Sequence, residues 1–327
     1  MPVTFTYFPS SLPARSGESV TSFFLNPDIA RAKLKAAEDA KFDAIVVDDP
    51  AGGLTNLDLS ATAAAMTDSL TVIATHWSGL MGPEEAAEQL ASLSRRSGGR
   101  LAMRILAAEE GGRGATSHGA EQKRTQEYVT LLRRLWLSDK AFDFEGPYYS
   151  IRSGRFRSIY RYGKGIDVRM AGQSEAALAV AGRHADVFEL EPASLFELRT
   201  LMRRVAAAAA PYGREKRIRF ALPITVPGAR ILDNRNDHPA CSITIDDPTR
   251  ATLSLMRFIE EGVSEFMIRG LDDIDSIRRF GQRIVPLLRN STARLHDHVE
   301  DVIASGQHLA PGSIASATVR WRSHRAE

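Results

Sequence analysis

Short apolar runs of strand length recur along the chain, and nearly every one is followed by a helical pattern. This alternation limits the possible folds more than any other feature. It starts at residues 3–8, which are β-branched and aromatic and are ended by Pro9. Asn26-Pro27-Asp28 opens the first helix, with proline where the first helical N–H has no partner anyway. Residues 29–41 continue it, with Ile29, Ala32, Lys33, Ala36, Ala37 and Ala40 near one face. Residues 44–47, Ala-Ile-Val-Val, are apolar on both faces, as buried parallel strands are. Further strands fit at 70–75, 101–106, 166–170, 185–190, 218–226 and 265–268. Further helices fit at 59–66, 82–96, 122–136, 175–184, 195–212, 249–261 and 275–288. Strand and helix in near-strict alternation mean right-handed βαβ units and a parallel sheet. Eight units suggest closure into a (β/α)8 TIM barrel; periodicity alone leaves a doubly wound open sheet as the alternative. The barrel domain is placed at residues 1–289, with an irregular, aromatic and basic excursion at 142–162. Residues 290–327 read as a polar, largely loose tail.

A chain of 327 residues suits one such barrel. The net charge of +2 gives no pull toward nucleic acid or an anionic membrane surface. Cys241 is the only cysteine, so no internal disulfide and no thiolate zinc cluster can form. The opening residues lack the basic and apolar regions of a signal peptide, and no run is long enough to cross a membrane. A soluble, cytoplasmic protein is expected. There is no Walker loop, Rossmann glycine fingerprint, Gly-x-Ser-x-Gly or zincin motif, and His296 and His298 would need further ligands to hold a metal.

One turn carries chemistry on its own. Ala171-Gly172-Gln173-Ser174 follows an apolar strand and opens a helix. Such a turn presents unbonded N–H groups and a positive dipole end to a phosphate. Ser174 could equally be a plain N-cap. His76-Trp77 follows the third strand and would either border a ligand or cap the core. Arg152, Arg155, Arg157, Arg161 and Lys164 form a basic run that would steer an anion or simply face solvent.

Longer phrases carry a family resemblance. Residues 36–44 (Ala-Ala-Glu-Asp-Ala-Lys-Phe-Asp-Ala), 87–100 with the turn Ser97-Gly98-Gly99-Arg100, and 124–136 with Leu132-Arg133-Arg134-Leu135-Trp136 are three. Others are 142–149 (Phe-Asp-Phe-Glu-Gly-Pro-Tyr-Tyr), 171–187, 261–266 and 280–288. In this order and spacing they resemble the bacterial luciferase-like, flavin-dependent monooxygenases, nearest the two-component alkanesulfonate branch. The resemblance covers nearly all of residues 1–289 and implies the barrel. It implies that Ala171, Gly172, Gln173 and Ser174 bind the phosphate of FMN, and that Thr75, Arg104, Ala107, His118 and Gln122 also line the cofactor. FMN would arrive reduced from a separate flavin reductase, and O2 would oxygenate a small organic, sulfonate-like substrate in a homodimeric enzyme.

The departures are informative. The family's Arg-Tyr pair is Glu121-Gln122 here, so Gln122 offers a hydrogen bond but no aromatic face. His118 remains, either at the flavin or as an exposed loop histidine. On the fourth strand the family's Asn is replaced within Arg104-Ile105-Leu106-Ala107-Ala108. An Arg104 inside a barrel needs Asp48, Asp49, Glu189 or Glu191, or else an anionic ligand. The substrate-facing Arg and His of the alkanesulfonate branch correspond to Pro223 and Thr225, its cysteine after the second strand is missing from 52–55, and its long lid shrinks to 227–248. A shorter lid exposes the site mouth. No catalytic residue stands out. These losses keep two alternatives open: a non-catalytic, flavin-binding paralogue or subunit, and a deazaflavin-dependent oxidoreductase.

Overall fold

In the computed structural model, the residues described are 3–9, 23–24, 26–48, 55–107, 117–138, 140–154, 165–227 and 238–304. Eight parallel strands close into a barrel, which excludes the open sheet. They are β1 (Thr4–Tyr7), β2 (Ala44–Val47), β3 (Thr71–Ser78), β4 (Leu101–Ala107), β7 (Asp167–Ala171), β8 (Val187–Glu189), β9 (Arg219–Thr225) and β10 (Val263–Arg269). Neighbours run β1-β10-β9-β8-β7-β4-β3-β2. Nine helices are described: α1 (Pro27–Asp39), α2 (Thr55–Met66), α3 (Pro83–Arg96), α4 (Ser117–Leu137), α5 (Glu175–His184), α6 (Leu195–Ala209), α7 (Pro248–Glu261), α8 (Ile274–Arg283) and α9 (Val285–Ala304).

The strands need two apolar faces. Their outward side chains, such as Phe5, Ile45, Val72 and Phe266, join the large core beneath the helices. A smaller interior core combines Phe8, Ala44, Val46, Ile73, Ala102, Val187, Ala221 and Met267. Strand β7 adds nothing apolar to it, because its central inward position is Arg169.

Local signals fix most helix ends. Asn26 accepts the N–H groups of Asp28 and Ile29, each at 3.2 Å, and starts α1. The inward face of α1 is Ala30, Leu34, Ala36 and Ala37, followed by Ala40, so the expected face holds at Ala36, Ala37 and Ala40 but is turned at its start, where Ile29 is half exposed and Ala30 and Leu34 are buried instead. Alanines on both sides of this helix carry little phase information, and Leu34 decides it. Arg100, from the turn after α3, donates to the carbonyls of Ala64, Thr67 and Leu70 at 2.7–3.2 Å and so closes the C-terminal end of α2.

Three expectations change. The excursion at 142–162 is ordered in its first part as an antiparallel hairpin, β5 (Phe142–Glu145) with β6 (Ser150–Gly154). Phe142 lies 3.9 Å from the Arg134 guanidinium, and Glu127 accepts the N–H groups of Tyr148 and Tyr149, so α4 holds the hairpin. The helix expected at 275–288 breaks at Ile284, because Pro286 lacks the N–H that would continue the ladder. The second piece, α9, then runs on to Ala304, so residues 290–304 are helical and not loose. Val285 and Leu288 are buried at its start, and Arg289 pairs with Asp43 at 3.0 Å, which anchors it. The rest of the tail, 305–327, and the basic run beyond Gly154 lie outside the described residues.

Candidate active site

Barrels of this kind build their sites at the C-terminal ends of the strands. Inward positions at that end can be followed across the sheet by register. Thr75 on β3 pairs with Arg104 on β4, and Arg104 with Arg169 on β7. Asp48 follows β2 directly, one step beyond the Val47–Ala74 pair. One row across three strands therefore carries Asp48, Thr75 and Arg104.

This row is ionic. Arg104 donates its Nε to Glu189 at 2.6 Å and its Nη1 to Asp48 at 2.7 Å. These are two of the partners expected for it; Asp49 lies outside the described residues, and Glu191 is bound to Gln173. Glu189 also accepts the Nε of Arg169 at 2.8 Å. Arg169 then grips Glu265 with Nη1 at 3.0 Å and Nη2 at 2.8 Å, and Glu265 accepts the Thr6 hydroxyl at 2.5 Å. Arg169, Glu189 and Glu265 are almost fully buried, whereas Asp48 and Arg104 keep 20% and 15% of their side chains exposed. The network thus descends from a wet rim to a dry floor. Burial alone would raise the Glu189 carboxyl; Arg104 and Arg169 outweigh it, and its pKa is lowered. Burial alone would lower the pKa of Arg169, but Glu265 and Glu189 outweigh it and raise that pKa. Removing one member would strand a buried charge at a cost of about 3–5 kcal/mol.

Arg169, Glu265 and Thr6 were not singled out in the sequence. The signal was there: Asp167-Val168-Arg169 and Ser264-Glu265-Phe266 place charges inside otherwise apolar strands. Thr75 is fully buried, and its Oγ1 has no hydrogen-bond partner among the described residues. An orphaned hydroxyl at this depth costs about 1–3 kcal/mol and is uncommon in a core.

The phosphate-type turn is formed as its sequence suggests. Gly172 has φ +117°, and a Cβ there would sit 2.9 Å from the Cβ of Ala177, so only glycine fits. Ser174 caps α5, accepting the Ala177 N–H at 3.2 Å. Its O–H remains a donor, so capping and phosphate contact are compatible. Gln173 binds Glu191 at 2.7 Å. Arg204 on α6, which the sequence did not flag, donates to the Gln173 carbonyl at 2.8 Å and to Glu175 at 2.6 Å. A cation and a helix N-terminus therefore share this turn.

The remaining candidates divide. Gln122 is half-buried on α4. His118 is in the first turn of α4 and Ala107 ends β4, but their side chains lie outside the described residues, as does all of Ala108. His76 turns away from the barrel: its Nε2 meets the Tyr128 hydroxyl of α4 at 2.7 Å, and burial lowers its pKa to about 4. It is a core cap. Trp77 shares the parity of Ile73 and Thr75 and is half-buried. Pro223 and Thr225 are buried near the end of β9. Beyond it, Ile243 donates its N–H to the Thr225 carbonyl at 3.0 Å, and Cys241, Ile243 and Ile245 are buried. That half of the shortened lid is packed and not open; residues 228–237 lie outside the described residues. No group of three or more potential metal ligands occurs among the described residues, and none of their helices is long and apolar enough to cross a membrane.

Comparison with known proteins supplies the family. A model of the luciferase-like monooxygenases matches residues 6–230. The chain is similar to a sulfoquinovose monooxygenase of Novosphingobium aromaticivorans, 28% identical over 58% of this chain and 54% of that one. It is also similar to an FMNH2-dependent dimethylsulfone monooxygenase of Pseudomonas putida, 25% identical over 50% of this chain and 46% of the other. The chain thus spans about half the length of the curated relatives it matches. In fold it is similar to the coenzyme F420-dependent tetrahydromethanopterin reductase of Methanopyrus kandleri, with TM-score 0.67 at 15% identity, covering 88% of this chain and 99% of that one.

Proposed function

The chain belongs to the luciferase-like monooxygenase family, and on that footing we propose that it binds reduced FMN and uses O2 to oxygenate a small organic substrate. The observation that carries this reading is the coincidence of two features at one end of the barrel. One is the glycine-dependent turn at Gly172–Ser174 with Arg204 beside it; the other is the orphaned Thr75 hydroxyl in the inward row. Both fit a flavin. Ser174, the first N–H groups of α5 and Arg204 would hold its phosphate, with Ala171 and Gln173 shaping the turn. Thr75, Arg104 and Ala107 would face the ring system, with His118 and Gln122 from α4. When bound, reduced FMN supplies the electrons that activate O2. The chain's own part is to bind, to orient and to keep the floor dry, which the Arg169–Glu265–Glu189 cluster does by filling the barrel centre.

No nicotinamide fingerprint occurs in the sequence, so the proposal includes a separate flavin reductase as electron donor; a cytoplasmic setting and a homodimer are what the family resemblance adds to it. A sulfonate is the substrate class that the resemblance suggests. The test is isotopic. The protein is given reduced FMN, labelled O2 and a panel of small sulfonates, sulfones and amides. One labelled oxygen atom should enter a product. A panel that stays unlabelled while free FMN is reoxidised would favour a non-catalytic flavin-binding role, to which the replaced residues Gln122, Pro223 and Thr225 point. Turnover only with a reduced deazaflavin would favour the oxidoreductase reading, to which the fold similarity to an F420-dependent reductase points.

A further inference from the structure

The rim of the ionic row has unused hydrogen-bonding capacity. Arg104 engages Glu189 through Nε and Asp48 through Nη1, and its Nη2 has no partner among the described residues. Asp48 answers with Oδ2 alone, which leaves Oδ1. Both side chains are partly exposed. The Nη2 donors of the guanidinium and the Oδ1 acceptor of the carboxylate thus remain beside the same 2.7 Å contact, unused among the described residues. The fully buried Thr75, its hydroxyl unpartnered, stands next to Arg104 in the register.

The charges around them balance. Arg104, Arg169 and Arg269 are the inward cations of the described upper barrel, and Asp48, Glu189 and Glu265 are its inward anions. Arg269 lies over the Phe8 ring, 4.4 Å from its centroid, apart from the row. Arg104 already touches two carboxylates, Asp48 at 2.7 Å and Glu189 at 2.6 Å, so its charge is compensated, and an anion placed against it would gain little attraction while facing both of them. A neutral group with an acceptor beside an N–H meets no such opposition and satisfies both leftover atoms.

We propose that this rim selects not the sulfonate that the family resemblance suggests but an uncharged molecule whose recognised group carries a carbonyl or sulfonyl oxygen next to an N–H, that is, an amide, sulfonamide or imide. Arg104 Nη2 donates to its oxygen, and Asp48 Oδ1 accepts from its N–H. A site built to pair both atoms discriminates against ligands that leave one of them unpaired. This assignment rests on the flavin reading only in treating the ligand as the substrate, because the pyrimidine edge of a flavin offers the same pattern.

The test uses two near-isosteres, methanesulfonamide and methanesulfonate, titrated calorimetrically into full-length protein, both flavin-free and saturated with FMN. The sulfonamide should bind the FMN-loaded protein at least about tenfold more tightly than the sulfonate. Asp48→Asn removes one opposing charge and should bring the two within about threefold of each other. Asp48→Glu keeps the charge and should keep the preference. Tighter binding of the sulfonate, no binding of either probe, or an unchanged ratio in Asp48→Asn would overturn the proposal. Sulfonamide that binds only flavin-free protein and competes with FMN would overturn the substrate assignment, because the group read at the rim would then be the flavin's own. Failure of FMN to bind would sink the flavin reading separately, and the probe ratio on flavin-free protein would still decide the rim chemistry.

Discussion

Two buried histidines show how single residues tie this fold to pH. His76 is 1% exposed against Tyr128, and burial lowers its pKa from 6.5 to about 4. His184 meets the Thr130 hydroxyl at 3.1 Å; burial first, then Arg133, lowers its pKa to about 3. Both stay neutral in the fold while the unfolded chain takes up protons near 6.5. Their contribution to stability is therefore full above that value and is lost as pH falls toward 4. Each such group contributes a slope of about 1.4 kcal/mol per pH unit within its window. His76→Asn should flatten the stability curve between roughly pH 6 and 4.5 by about that amount, measured by urea denaturation across pH. An unchanged slope would mean that His76 is not held neutral. The residue scale is also where the sequence was least readable. Ser174 could be read both as a cap and as a ligand, and the geometry accommodates both. For His76 the choice between bordering a ligand and capping the core could not be made, because its partner Tyr128 lies 52 residues away.

Elements pack here through close contacts between helices. Gly182 on α5 faces α6 so tightly that a Cβ would lie 2.4 Å from the Ala208 carbonyl oxygen. Backbone cannot yield as a flexible side chain can. Gly182→Ala should therefore separate α5 from α6 and destabilise by about 1–3 kcal/mol, read as a lowered thermal midpoint. A midpoint equal to that of the unaltered protein would show that the helix pair is looser than its contacts indicate. At this scale the sequence was readable wherever a residue type has one geometric meaning. Asn26-Pro27, Gly82-Pro83 and the span of α5 at 175–184 agree with the structure. It misled where the deciding contact was distant or the pattern too uniform. The phase of α1 is hidden among alanines, and the polar surface of α9 resembles a tail until Val285 and Leu288 are seen to anchor it. The β5–β6 hairpin was marked by alternating Phe142 and Phe144 before Gly146-Pro147, a signal masked by the surrounding basic residues.

The molecule as a whole is a closed barrel whose centre is filled by ion pairs as well as by hydrocarbon. The closure was readable, since eight alternations have few other solutions. The ionic centre was only partly readable, since a lone Arg or Glu in a strand pattern looks like a surface position. Arg104 was recognised as needing a carboxylate; Arg169 and Glu265, its deeper neighbours, were not. The same architecture directs function to one end, where the Gly172–Ser174 turn and the Asp48–Thr75–Arg104 row converge. We propose that this end holds FMN by its phosphate. A hydroxyl hydrogen bond to a charged phosphate contributes about 1.5–3 kcal/mol. The direct measurement is equilibrium binding of FMN and of riboflavin, which lacks the phosphate, to the unaltered protein and to Ser174→Ala. FMN should bind the unaltered protein more tightly than riboflavin, and Ser174→Ala should weaken FMN by roughly tenfold to a hundredfold. Riboflavin binding should barely change, even though the substitution also removes a helix cap. Equal losses for the two flavins, or no loss for either, would show that this turn does not hold the phosphate.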